Sequence, residues 1–107
     1  MKKTIEPSNF DASPELMNAI DTLFDDLDTY NDMIISADIY MESNDTGDDE
    51  SEVCKIKVFL PGPEIFVEES DTEMLKAAHK TYDVVKRAVI QRKEQDKDKR
   101  RARVDKF

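Results

Sequence analysis

The spacing of apolar residues along this chain changes period three times, which rules out an all-helical or an all-strand fold. Lys2 to Ile5 reads as a short first strand ending near Pro7, which cannot donate to a ladder. Leu16, Ile20, Leu23 and Leu27 then recur at intervals of four, three and four, with Met17 and Phe24 alongside. That is the stripe of an amphipathic helix over about 14–29, with Ser13 as N-cap and Pro14 at the first helical position. Ile35, Ala37, Ile39 and Met41 next alternate with Ser36, Asp38, Tyr40 and Glu42, the period of a half-buried strand. A third strand points Cys54, Ile56, Val58 and Leu60 inward and Lys55, Lys57 and Phe59 outward. Leu60-Pro61-Gly62-Pro63 is a tight turn by composition, and Ile65 and Val67 supply the inward face of a fourth strand.

The period then returns to that of a helix. Ser70 and Glu73 fit a capping box opening a second helix, with Leu75, Ala78, Tyr82, Val85 and Val89 on its core side. The predicted architecture is therefore α+β in the order β-α-β-β-β-α. Each strand has one apolar face, so the four-stranded sheet should carry both helices packed on one face. Residues 1–94 are expected to form this single domain, with 95–107 a charged C-terminal helix extension or disordered tail.

Charge is distributed unevenly, and this narrows the function. The net charge of −9 is the sum of a strongly acidic stretch, 4 basic and 18 acidic side chains in residues 1–70, and a basic end, 12 basic and 7 acidic in 71–107. Such asymmetry points to a partner met by one part of the molecule only. The first helix presents Asn18, Asp21, Asp25 and Asp28 opposite its apolar stripe, a face read as solvated or repelling phosphate. The outer surface of the second helix carries Lys76, Lys80, Lys86, Arg87, Arg92 and Lys93. Cations on successive turns can neutralise several phosphates with release of counterions, and a helix beside a sheet reads RNA by shape.

Catalytic and cofactor chemistry find little support. His79 is the only histidine, and no Ser or Cys stands at helical spacing to be activated by it. Cys54 is the only cysteine, which excludes an internal disulfide and a cysteine-based metal site, and its inward position suggests a small apolar core residue. With Gly47 and Gly62 as the only glycines, neither a P-loop nor a dinucleotide fingerprint can be built. The acidic loop Asn44, Asp45, Asp48, Asp49, Glu50 and Glu52 does not follow the order of a calcium-binding EF-hand. No cofactor, no metal and no small-molecule substrate are expected. No apolar run approaches the ~20 residues of a membrane span, so no membrane partner is expected either, and the reading is cytoplasmic.

Several short motifs together resemble the ribosome hibernation promoting factor and ribosome-associated inhibitor family, also called the sigma-54 modulation protein family. They are Asn9-Phe10-Asp11-Ala12, the segment Leu27-Asp28-Thr29-Tyr30 before Ile34, the turn Leu60-Pro61-Gly62, and the run from Thr72 through Lys86-Arg87 to Arg92-Lys93-Glu94. The likeness spans about residues 3–94. It implies the same fold, like that of a double-stranded-RNA-binding domain, and a non-enzymatic factor that blocks messenger and transfer RNA in the decoding region of the small ribosomal subunit. The partners implied are that subunit and its ribosomal RNA, with the protein a monomer off the ribosome. Carried over by position, the RNA-binding residues are Lys86, Arg87, Arg92 and Lys93, to which the cationic outer face adds Lys80. The chain ends soon after the helix, so the expectation is a short form without a C-terminal dimerisation domain. The competing expectation is a protein-interaction regulatory module, with acidic body and basic tail, that does not bind ribosomes.

Overall fold

The structure is a computed structural model that describes residues 1–44 and 51–104, with side chains of the last helix described as far as Gln95. The acidic-loop residues Asp45 to Glu50 and the last three residues of the tail lie outside the described residues. Four strands, β1 (Lys2–Pro7), β2 (Ser36–Ser43), β3 (Glu52–Phe59) and β4 (Ile65–Asp71), form one sheet in the order β1-β2-β3-β4. β1 runs parallel to β2, and the other two pairings are antiparallel. Pro7 is tolerated because β1 is an edge strand, where a missing donor can face outward.

The helices are α1 (Pro14–Phe24), a single turn α2 (Leu27–Tyr30) and the long α3 (Met74–Val104). α3 lies against β3 and β4, while α1 packs on β1 and on α3. They cover one face of the sheet, as the alternation predicts: Ala37, Ile39 and Met41 of β2 and Cys54, Ile56 and Val58 of β3 are fully buried. At ~25 cal/mol per Å² of apolar surface removed from water, these six positions and the helix residues above them supply the main drive for folding. Gly62 closes the β3–β4 turn with φ of +90°, a conformation that side chains with a Cβ rarely adopt.

Four local expectations are corrected. The helix expected over 14–29 breaks at Asp25 and Asp26, so Phe24, Ile20 and Leu27 form the fully buried centre and Leu23 is only half-buried. Ser70 does not cap a helix: β4 continues through it in register with Val53, and α3 starts only at Met74. The core side of α3 is consequently set by Met74, Ala77, Ala78, Thr81, Val85 and Val89, leaving Leu75 41% exposed. Ile35 stands one residue before β2 and is 65% exposed, while Ile34 takes the buried place.

Among the described residues two polar side chains are buried, and both tie α3 to the rest of the fold. The Thr81 hydroxyl lies 3.0 Å from the carbonyl oxygens of Ala77 and Cys54. Asn31 donates from Nδ2 to the Val89 carbonyl at 3.0 Å and accepts from the Met33 backbone N–H at 3.0 Å. Each buried side chain thus has partners for its own polar atoms, and truncation would remove these links between α3 and the rest of the fold.

Candidate nucleic-acid interface

An α-helix advances about 1.5 Å and 100° per residue, so positions seven apart share a side at a separation of about 10 Å. By that rule Lys86 and Lys93 lie on one flank of α3, Lys80 and Arg87 on the side away from the sheet, and Arg92 on the line of the core residues Val85 and Val89. The five cations expected to contact RNA thus do not form one edge. Arg87 and Lys93 are exposed, and Arg87 donates from Nε to the Asp83 carbonyl of its own helix. Among the described residues, Lys86, Arg87, Arg92 and Lys93 make no ion pair.

Two of the five have structural duties. Arg92 is half-buried, and its Nη1 donates to the carbonyls of Pro63 at 2.9 Å and Pro61 at 3.4 Å, so it fastens the β3–β4 turn to α3. Its position on the core line, extended past the end of the sheet, explains why a cation can stand there: the turn offers backbone oxygens in place of apolar side chains. Lys80 pairs with Asp71 at 3.0 Å and donates to the Ser70 carbonyl at 3.0 Å, joining α3 to the end of β4. The Lys80 ammonium, together with the Thr72 backbone N–H, holds the Asp71 carboxyl at about 2, well below its ordinary 3.8.

Lys86 is placed by aromatic rings. Its ammonium sits 4.6 Å from the centroid of Tyr30 and 6.0 Å from that of Tyr82. Tyr82 packs edge-on against Phe24 with centroids 5.8 Å apart, and its hydroxyl donates to Asp26 at 2.7 Å. Burial, then the Asp26 carboxylate, pushes the Tyr82 phenol well above its usual range, so it stays a donor. Nothing local to 26–30 in the sequence signals a neighbour on α3, so neither Tyr30 nor Asp26 stands out there as a companion of Lys86.

The groups considered for other chemistry differ in setting. Cys54 is fully buried, which pushes its thiol up to about 11, and His79 is exposed on α3. Among the described residues no group of three or more His, Cys, Asp or Glu could hold a metal ion, and no helix is long and apolar enough to cross a membrane.

Residues 4–97 match the model of the family described as sigma 54 modulation protein / S30EA ribosomal protein. The chain belongs to this S30EA family. All five candidate cations fall inside the matched span. The S30EA fold is also evident in two solved structures. The Thermus thermophilus Protein Y N-terminal domain has a TM-score of 0.69 at 24% identity, covering 85% of this chain and 98% of that one. A ribosomal subunit interface protein from Coxiella burnetii has a TM-score of 0.77 at 18% identity, covering 88% and 99%. No curated protein matches the sequence. In this S30EA member the mixed sheet with helices on one face is therefore the family fold, and α3 is the basic part of an otherwise acidic molecule.

Proposed function

We propose that this chain binds the decoding region of the small ribosomal subunit through α3, where it blocks messenger and transfer RNA and keeps idle ribosomes inactive. The observation that carries the reading is that, among the described residues, Lys86, Arg87 and Lys93 have no carboxylate partner although the molecule is acidic overall. Cations kept out of internal pairing are available to phosphate. Family membership supports a ribosomal partner, and the contact residues are Lys86, Arg87 and Lys93, with Arg92 and Lys80 adding charge from their structural positions. Residues 1–94 carry the ribosome-binding fold and 95–107 extend its charge. No catalytic step is assigned: the protein acts by occupying a site, as a monomer off the ribosome, in the cytoplasm.

Sucrose-gradient co-sedimentation with purified empty ribosomes at increasing salt tests this. The expected result is saturable binding that weakens with salt, each phosphate contact contributing roughly 0.7–0.9 to the log–log slope. Absence of co-sedimentation at every salt concentration would favour a module that docks another protein.

A further inference from the structure

The break between α1 and α2 has a consequence for the charged flank. It turns the chain so that Tyr30, the last residue of α2, lies over α3 instead of continuing the line of α1. Asp26, at the break, holds Tyr82 through its carboxylate and the start of α2 through its carbonyl, which accepts from the Thr29 N–H at 3.0 Å and the Thr29 hydroxyl at 2.6 Å. Asn31, the next residue after Tyr30, is tied to the Val89 carbonyl. Tyr30 is thereby fixed from both sides, with the Lys86 ammonium above its ring.

We propose that Tyr30, backed by Tyr82, is a positioning residue that seats Lys86 and presents its ammonium to a phosphate. The inference rests on the reading of α3 as the RNA-contacting surface. A free lysine side chain has four rotatable bonds, and fixing it on binding opposes association. A ring face attracts the cation electrostatically without neutralising it, so the charge is held in place and remains available to an anion. A carboxylate in the same place would hold Lys86 equally well but cancel its charge. The half-buried state of both Tyr30 and Lys86 fits a seat that is open on one side.

The test is a double-mutant cycle read by ribosome co-sedimentation, with thermal melts of each variant as a check on folding. Tyr30→Leu is expected to weaken binding roughly two- to fivefold, the size of an exposed cation–π contact, without changing the salt slope because no charge is lost. Tyr30→Phe, which keeps the ring, should bind as the parent does. On a Lys86→Gln background Tyr30→Leu should have no further effect. If Lys86→Gln weakens binding while Tyr30→Leu does not, or if Tyr30→Leu weakens both backgrounds equally, the seating role is overturned. If Lys86→Gln itself leaves affinity and salt slope unchanged, Lys86 is not in the interface, and the inference falls with that part of the functional reading.

Discussion

Lys3 and Lys93 show how differently two regions of this molecule treat the same side chain. Lys3, nearly buried on β1, lies 2.9 Å from Asp21 and 2.7 Å from Asp25 of α1, and its hydrogen bond holds Asp25 below the usual carboxylate range. The N-terminal ammonium likewise pairs with Asp28, and Lys55 with Glu42 and Glu68 across the sheet. In the acidic body these cations are used to quench local repulsion. On the exposed flank of α3 the surroundings of Lys93 are free of such partners among the described residues. The acidic face of the first helix is therefore partly a docking surface for β1, whereas Lys86, Arg87 and Lys93 of α3 make no ion pair among the described residues.

The contrast breaks most sharply at the core. Phe24→Ala is expected to destabilise the protein by about 3–5 kcal/mol, whereas Leu23→Ala, at a half-buried position, should cost less than about 2 kcal/mol. Urea melts of the two variants check this, and equal shifts would contradict the assignment of the helix break.

Removing charge from α3 should do the reverse, leaving the fold largely intact and weakening affinity. Changing Lys86, Arg87 and Lys93 together to Gln is expected to reduce the log–log salt slope by roughly 2–3 and to weaken ribosome binding roughly a hundredfold near physiological salt. Arg92 is kept out of this set, because Arg92→Gln removes the bonds to the β3–β4 turn as well as a charge. A triple variant that melts like the parent and retains the parent's salt slope would refute the assignment of the phosphate contacts.

Asn31 links the two regions. Replacing it with Leu leaves the Val89 carbonyl and the Met33 N–H without their side-chain partner, which should cost about 1–3 kcal/mol in denaturant melts. The smallest expected effect is at the Lys80–Asp71 pair. Because the folded carboxyl titrates near 2 instead of 3.8, its stabilisation is present above about pH 4 and is lost as pH falls toward 2. Stability of the parent and of Asp71→Asn, compared by melts from pH 5 down to 2, should therefore converge. A constant difference would show that Asp71 is not held by Lys80.

Much of the fold was legible because alternation and the Pro61-Gly62 turn are local signals. β2, β3 and β4 keep the predicted inward residues Ala37, Ile39, Cys54, Ile56, Val58 and Val67. What was illegible depends on partners distant in sequence. The break at Asp25–Asp26 contains no glycine or proline to mark it. Ser70 looks like a cap until β3 pairs with it, and the phase of α3 then shifts by one residue, replacing Leu75 with Met74. Of the candidate site, what was legible is that its five cations share one helix. Their separate orientations, the fastening of Arg92 to the turn and the ring under Lys86 depend on how α3 meets the sheet and α2.

Lys86, Arg87 and Lys93 of α3 are proposed to hold this chain where messenger and transfer RNA would otherwise lie. Competition on purified ribosomes tests it most directly. The chain is expected to co-sediment with empty ribosomes and to be excluded from ribosomes first programmed with messenger and filled with transfer RNA. Equal binding to empty and filled ribosomes would contradict it.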